Sequence, residues 1–171
     1  RSRGIERAVL CVAHLGERIR EFAGTGERFG LRLDYSFDGP ELKGTAGAVA
    51  NALPLLGDAF FVLYGDSYLP CDYRAVQNAF FSSGKPALMT VFPNQDRWDR
   101  SNVLFADGCL RAYDKKNPGA GMRHIDYGLG VFRREVFRDL PAGGYDLAAL
   151  YQDLLSRGEL AAFEVRERFY E

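Results

Sequence analysis

The sequence predicts an α/β fold whose central sheet is mostly parallel. Three apolar runs in the first half of the chain have the length and composition of buried strands, at 8–12, 59–64 and 87–92. The segments between them include stretches with the helical spacing of apolar residues. Because strands that alternate with helices usually join by right-handed crossovers, this order favours parallel pairing.

The other elements of the first half follow from the same patterns. Continuous apolar residues at 8–12 are typical of a strand buried on both faces. Pro54 stands near the end of a helical segment, where the helix must kink or stop. The further elements predicted here are helices at 15–23, 45–56 and 73–81 and a strand at 31–35.

The second half changes character at the dipeptide Asp107-Gly108. Asp-Gly between two strand patterns is a strong signal for a β-hairpin. The elements predicted in this half are strands at 102–106, 109–113, 125–132, 160–165 and 169–171, and helices at 134–140 and 146–157. With no internal repeat and no low-complexity linker, residues 1–171 are expected to form a single domain.

Composition excludes several classes of protein. Of the 171 residues, 47% are hydrophobic and 26% are charged, which suits a packed globule. The net charge of -1 gives no basic excess for nucleic acid, and no apolar run is long enough to span a bilayer. Cys11, Cys71 and Cys109 are far apart and form no metal or disulfide pattern, which indicates a reducing cytoplasm.

A carboxylate follows the most apolar of the predicted strands, in the sequence Gly65-Asp66. In open α/β sheets, ligands bind at the carboxyl ends of the strands. Mg²⁺ favours one or two carboxylates together with phosphate oxygens and water, so Asp66 is a candidate metal ligand. The alternative is an Asp that caps the next turn.

A glycine-containing loop runs into a helix at Glu41-Leu-Lys-Gly-Thr-Ala-Gly-Ala48. Backbone N–H groups at such a helix start can face an anion or the edge of a base. The small residues would let a flat ligand approach the backbone. The alternative is an ordinary helix start with Thr45 as the N-cap.

Two further motifs place charge beside predicted strands. Asp114-Lys115-Lys116 combines a carboxylate with two ammonium groups and suits a polyol phosphate, although a solvated charged turn has the same composition. Asp126 and Gly128 interrupt an apolar strand, which indicates close approach to the backbone. The alternative for Asp126 is a buried carboxylate bonded to nearby backbone.

Taken in order, these four motifs resemble the sugar-1-phosphate nucleotidyltransferase family, which includes mannose- and heptose-1-phosphate guanylyltransferases and muramate-1-phosphate uridylyltransferases. The resemblance extends over 8–171. It implies a Rossmann-like three-layer sandwich, the nucleotide-diphospho-sugar transferase fold. It also implies transfer of a nucleotidyl group from a nucleoside triphosphate to a sugar 1-phosphate, with Mg²⁺ as cofactor and pyrophosphate as by-product.

The resemblance assigns a role to each motif. Asp66 and Lys115 correspond to catalytic residues, and Asp66 and Glu171 correspond to metal ligands. The residues that correspond to nucleotide-binding positions are Gly44, Thr45, Gly47 and Gly65. Those that correspond to sugar-phosphate-binding positions are Asp114, Lys115, Asp126, Tyr127 and Gly128.

The chain departs from the family pattern at three places. No counterpart of the family's Gly-rich phosphate loop, with its Thr-Arg-Leu, precedes the first predicted strand. Asp114-Lys115-Lys116 stands where Glu-Lys-Pro is commoner, and Glu171 comes before the family's Gly-Thr pair. We therefore expect a nucleotidyltransferase truncated at the N-terminus and also at the C-terminus, which lacks the first strand and its loop and has weak or no turnover by itself.

Three other interpretations stay open at this point. A non-catalytic module of the same fold would bind a nucleotide sugar or regulate without turning it over. A glycosyltransferase of the related fold would commonly carry an Asp-x-Asp pair, whereas only one acid follows Gly65. A missing first strand would leave an open sheet edge, through which a homodimer could form.

Overall fold

The computed structural model describes residues 4–141 and 143–170, which form two compact units. Among these residues the first unit comprises 4–58 and 134–147, and the second comprises 59–133 and 148–170. The strands are β1 (Arg7–Val12), β2 (Arg32–Phe37), β3 (Ala59–Leu63), β4 (Ala87–Phe92), β5 (Val103–Ala106), β6 (Cys109–Tyr113), β7 (Ile125–Arg133) and β8 (Leu160–Glu164). The α-helices are α1 (Gly16–Ala23), α2 (Gly44–Ala52), α3 (Tyr73–Ser83) and α4 (Leu147–Ser156).

The first unit is built on a parallel pair of strands. β1 and β2 pair in register from Arg7 opposite Arg32 to Val12 opposite Phe37. The expectation that β1 is buried on both faces is wrong, because most of the strand is half-buried and Cys11 is exposed. Within the part of the chain that the structure describes, β1 pairs with β2 alone, so it belongs to a two-stranded sheet and not to the interior of a larger one.

Proline sets the end of α2. The helix was expected over 45–56, but its α-helical part ends at Ala52. Leu53–Leu55 continues as one 3₁₀ turn with Pro54 near its start, and Leu56 is extended. Because Pro54 lacks an N–H and its ring restricts the preceding turn, the α-helix cannot run on.

The second unit is built on a four-stranded sheet of order β3-β7-β4-β8. β7 is antiparallel to both neighbours, and β4 and β8 are parallel. β3, β4 and β8 therefore run in one direction and β7 runs against them, so the sheet is mixed, with parallel and antiparallel pairings. β5 and β6 form the expected hairpin, with positive φ at both Asp107 and Gly108.

The core of the second unit surrounds β4, whose six residues are all buried. Helix α3 supplies the buried side chains Val76 and Phe80. It begins at Asp72, whose carboxylate accepts hydrogen bonds from the N–H groups of Arg74 and Ala75. This is a standard N-cap, which satisfies two of the N–H groups that a helix start leaves without partners.

The last predicted strand, 169–171, is reduced to one bridge among the described residues. Tyr68 and Tyr170 exchange two backbone hydrogen bonds, of 2.7 and 3.1 Å. The position of the chain before Glu171 is thus fixed beside the segment that follows Asp66, while Glu171 itself lies outside the described residues. In the same described ranges, no helix has both the length and the apolar character that crossing a membrane requires.

Candidate functional site

Gly65 and Asp66 lie in a turn directly after the end of β3, and both are exposed. The Ser67 N–H donates to the carbonyl of Tyr64 (3.3 Å), and the Ser67 hydroxyl donates to Asp66 Oδ1 (3.4 Å). A Cβ placed on Gly65 would meet nothing within 4 Å. The carboxylate of Asp66 therefore faces open space rather than the core.

Gly128 of β7 lies against the same turn. Its φ is +90°, and a Cβ there would lie 3.7 Å from Tyr64 Cδ2 and 3.9 Å from Ser67 Oγ. The register of β3 on β7 pairs Leu63 with Leu129, which brings the next residues of the two strands together. The fold thus places the Asp66 motif and the Gly128 motif side by side, although they are far apart in the sequence.

The carboxylate of Asp126 is held from two directions. Its Oδ1 accepts from the Gly128 N–H (3.0 Å), and its Oδ2 accepts from the Tyr113 hydroxyl (3.3 Å). Burial, first, and the charge of Asp126 raise the pKa of Tyr113 far above its usual value, so the phenol remains a donor. Asp126 is half-buried and bonded to nearby backbone, as the alternative interpretation predicted, and it also lies two residues from Gly128.

In the charged turn after β6, Asp114 holds the turn together and Lys115 is exposed. Asp114 Oδ1 accepts from the N–H groups of Lys116 (2.9 Å) and Asn117 (2.8 Å), which fixes the turn. Lys115 is exposed, and its Nζ lies 5.8 Å from the centre of the Tyr64 ring. An ammonium group over an aromatic face is attracted to it, so Tyr64 helps to place Lys115 near the Asp66 turn.

Tyr127 faces the core between Asp126 and Gly128. Its side chain is only 1% exposed and packs edge-on against Phe169, with Phe92 also nearby. Successive side chains of a strand point to opposite faces, so Asp126 and Gly128 face one way and Tyr127 faces the core. With its side chain packed in the core, Tyr127 offers its backbone, rather than its ring, to the surface that Asp126 and Gly128 face.

In the first unit, the start of α2 is closed by another segment of that unit. The N–H groups of Ala46 and Gly47 donate to the carbonyl of Tyr145 (2.9 and 3.1 Å), and the Thr45 N–H donates to Asp146 Oδ1 (3.3 Å). The Thr45 hydroxyl accepts from the Leu147 N–H (2.8 Å). These N–H groups therefore already have acceptors, and Thr45 is not the N-cap of its own helix.

The backbone conformation at position 44 requires glycine. Its φ is +71°, and a Cβ would lie 2.6 Å from the carbonyl oxygen of Tyr145. Only glycine adopts such a conformation without strain, and only glycine leaves room for that close approach. Gly44 thus has a structural role, whatever the nucleotide role that its motif predicts.

The carboxylates can be tested for their fit to the expected cation. In the part of the chain that the structure describes, no group of three or more His, Cys, Asp or Glu side chains is placed to hold a metal ion. Asp66 offers one exposed carboxylate, and Mg²⁺ commonly takes one or two carboxylates and completes its shell with phosphate oxygens and water. Asp66 therefore fits a metal that arrives with a phosphorylated ligand rather than one held by the protein alone.

Two residues join the site without a signal in the sequence. Tyr64 is the last residue of an apolar run, yet the centre of its ring lies 5.8 Å from Lys115 Nζ, and its Cδ2 would lie 3.7 Å from a Cβ placed on Gly128. Asn102 is buried; its Oδ1 accepts from the Asp126 N–H (3.0 Å) and its carbonyl accepts from the Asp114 N–H (3.0 Å). Asn102 thus links the Asp114 and Asp126 motifs through contacts that no local sequence pattern predicts.

Comparison with known proteins gives a consistent set of relatives, although no protein-family model matches the chain. The UTP–glucose-1-phosphate uridylyltransferase of Synechocystis is 28% identical over 176 residues, which span 92% of this chain and 45% of that protein. The N-acetylmuramate α-1-phosphate uridylyltransferase of Neisseria meningitidis is 33% identical, over 82% of this chain and 61% of that protein. The D-glycero-α-D-manno-heptose 1-phosphate guanylyltransferase of Campylobacter jejuni is 26% identical, over 81% and 60%. The chain thus spans roughly half of each relative's length.

Solved structures confirm the fold class. The inositol-1-phosphate CTP transferase of T. maritima superposes with a TM-score of 0.78 at 19% identity, over 98% of this chain and 70% of that one. HddC from Yersinia pseudotuberculosis gives a TM-score of 0.77 at 18% identity, over 99% and 74%. At these identities the likeness concerns the fold, which is Rossmann-like with a mixed sheet.

Proposed function

We propose, because this chain is homologous to the sugar-1-phosphate nucleotidyltransferases, that the protein transfers a nucleotidyl group from a nucleoside triphosphate to a sugar 1-phosphate. The products are a nucleotide sugar and pyrophosphate. The observation that carries the proposal is the convergence on Tyr64 of three separate motifs: the turn that bears Asp66, Gly128 of β7, and the Lys115 ammonium.

In this reaction the main task of the protein is to align two polyanions. An oxygen of the sugar phosphate attacks the α-phosphorus in line, a P–O bond forms, and the bond to pyrophosphate breaks. Lys115 would offset the charge of the sugar phosphate and hold its oxygen in position. Asp66 would hold Mg²⁺, which supplies charge neutralisation on the phosphates when it is bound. We propose Glu171 as a second carboxylate for the same ion.

The sugar would lie against the residues around Asp126. The carboxylate of Asp126 is fixed by hydrogen bonds from the Tyr113 hydroxyl and the Gly128 N–H. It can therefore accept a hydrogen bond from a sugar hydroxyl without first being ordered. Gly128 has no Cβ, which lets the sugar approach the strand backbone. Asp114 uses Oδ1 for its turn and would offer Oδ2 to a hydroxyl group.

The nucleotide contacts are proposed separately for each unit. In the second unit, the open space at Gly65 would admit a phosphate close to the backbone. In the first unit, the start of α2 would offer its small residues Thr45 and Gly47 as a flat surface, since the N–H groups there already have acceptors. Gly44 would maintain the backbone conformation of that surface.

The reaction can be tested by mixing the protein with Mg²⁺, a panel of nucleoside triphosphates and a panel of sugar 1-phosphates, and assaying pyrophosphate. Release with one pair, and none without Mg²⁺, would support the enzyme. Binding of a nucleotide sugar without turnover, in this chain and also in a form extended by the family's phosphate loop, would instead indicate the non-catalytic module. We place the protein in the cytoplasm. Gel filtration would show whether a homodimer forms through the edge of β1 that has no partner strand among the described residues.

The Lys115→Gln substitution is expected to weaken binding of the sugar 1-phosphate by about tenfold or more, because a charge-assisted hydrogen bond to phosphate is lost. The measurement is a dissociation constant by titration calorimetry. Lys116→Gln is the matched control, because it removes a neighbouring positive charge and leaves the Asp114 turn, which uses the Lys116 backbone N–H, in place. Equal losses in the two variants would argue against a specific role for Lys115.

A further inference from the structure

Asn102 forms hydrogen bonds to two of the motifs that the proposed function uses. Its side-chain Oδ1 accepts from the Asp126 N–H (3.0 Å), and its carbonyl accepts from the Asp114 N–H (3.0 Å). Its own N–H donates to the His124 carbonyl (2.9 Å). Asn102 is only 6% exposed, and a hydrogen bond is stronger in such a poorly hydrated environment than in water. One buried residue therefore holds both the strand that carries Asp126 and the turn that carries Lys115.

The sheet holds Asp126 from one side only, and irregularly. In the part of the chain that the structure describes, β3 pairs with β7 only as far as Leu129, so β3 offers no partner to the Asp126 backbone. On the other side, the pairing of β4 with β7 changes register between Met89 and Val91, the residue opposite Asp126. Irregular pairing of this kind re-aims side chains and is frequent beside functional sites. The hydrogen bond from Asp126 to Asn102 therefore supplies an anchor that the regular sheet does not.

The turn that bears Lys115 is anchored by the same residue. Its first residue, Asp114, donates its N–H to the Asn102 carbonyl and closes the turn with its own carboxylate. Tyr113, directly before the turn, donates its hydroxyl to Asp126 Oδ2 (3.3 Å). The Lys115 turn and Asp126 therefore belong to one connected set of hydrogen bonds.

We propose that Asn102 is a positioning residue, which holds Asp126 and Lys115 at the separation that one sugar 1-phosphate spans. This inference rests on the proposed function, in which Asp126 binds a sugar hydroxyl and Lys115 binds the sugar phosphate. Two groups that are already held in place bind the two ends of one ligand jointly, because the second contact forms within the same complex. Asn102 acts through these two residues and contacts neither the sugar nor the phosphate.

The first test uses Asn102→Ala, which removes the acceptor of the Asp126 N–H and leaves the backbone carbonyl that holds Asp114. The probes are glucose 1-phosphate, mannose 1-phosphate and N-acetylglucosamine 1-phosphate, each compared with inorganic phosphate by NMR titration. We expect the affinity for the tightest of the three sugar 1-phosphates to fall about tenfold. The affinity for inorganic phosphate, which needs Lys115 alone, should change by less than about twofold.

A double-mutant cycle measures the coupling between the two contacts. With Asn102 in place, the losses of sugar 1-phosphate affinity caused by Lys115→Gln and Asp126→Asn are expected to be non-additive, because either change alone ends the joint binding. In the Asn102→Ala background, the same two losses should add. General destabilisation of the fold does not predict this change, so the cycle separates a positioning role from a merely structural one.

Asn94→Ala is the matched control. Asn94 is likewise a buried asparagine of the second unit, and its side chain donates to the Asp99 carbonyl (2.6 Å) and to Ser101 Oγ (3.2 Å). Its replacement should lower the free energy of unfolding and leave the sugar 1-phosphate affinity within about twofold. Asn102→Ser is measured beside Asn102→Ala because it keeps a polar group at the buried position. Its hydroxyl is one bond shorter and does not reach the Asp126 N–H, so the same loss is expected.

The inference is overturned if no sugar 1-phosphate binds more tightly than inorganic phosphate, or if the Asn102 variants change both affinities equally or neither. It is also overturned if the cycle is additive with Asn102 in place, or if Asn94→Ala causes an equal loss, since any loosening of the unit would then weaken binding. The proposed function can stand in each of these cases. It fails separately, if Lys115→Gln changes no affinity and no pair of substrates releases pyrophosphate in this chain or in a form extended by the family's phosphate loop.

Discussion

In a form of the protein that turns over, replacement of Asp66 by Asn is expected to lower pyrophosphate release by on the order of 10²- to 10³-fold at saturating substrates, the loss typical when one preorganised charge-stabilising group is removed. An amide oxygen is neutral and holds a divalent cation poorly, so the metal-bound phosphates lose their anchor on the protein. Excess Mg²⁺ should recover only part of the rate. The measurement is the initial rate of pyrophosphate release over a range of Mg²⁺ concentrations.

The same substitution should leave the fold intact. Asp66 is exposed and bonds only weakly to Ser67, so the free energy of unfolding is expected to change by less than about 0.5 kcal/mol. Asp107→Asn is the matched control, because Asp107 is an exposed aspartate in the β5–β6 turn and asparagine tolerates its positive φ. Full activity in the Asp66→Asn variant would remove the carboxylate from the mechanism, and a loss in both variants would indicate a general effect of charge.

Much of the fold could be predicted from local patterns, because strand and helix periodicities act over a few residues. The position of β7 could not. Nothing in its apolar residues indicates that it would lie between β3 and β4 and run against both. Pairing partners are chosen by packing across the whole unit, and β4, rather than the more apolar β3, occupies the position where all its residues are buried.

The candidate site, like the fold, could be predicted from local patterns only in part. An acid after a buried strand and a glycine within another could be identified one at a time, because each breaks a local pattern. Their meeting at Tyr64 depends on the β3–β7 register, which the sequence does not state. The segment that closes the start of α2 lies about a hundred residues further along the chain, so no reading of Gly44–Gly47 alone could detect it.

Gly44→Ala is expected to destabilise the first unit by more than about 2 kcal/mol. A residue with a Cβ pays about 1–2 kcal/mol in the left-handed region, and here the Cβ would also lie 2.6 Å from the Tyr145 carbonyl oxygen. The obstructing atoms belong to the backbone, so no side-chain rotation relieves the contact. Urea unfolding should show a lower midpoint without any ligand, and the N–H groups of Ala46 and Gly47, which donate to Tyr145, should exchange faster with solvent.

Gly47→Ala separates structure from binding at the same motif. Gly47 has ordinary helical geometry, and the nearest atom to an added Cβ is Lys43 Cβ, at 3.0 Å. The gain in helix propensity, about 1 kcal/mol, offsets that tight contact, so stability should change by less than about 1 kcal/mol. A nucleotide that lies on these small residues would nevertheless lose affinity, because the methyl group occupies its surface. If Gly47→Ala leaves nucleotide affinity unchanged while Gly44→Ala destabilises the unit, the glycines of this motif serve the fold alone.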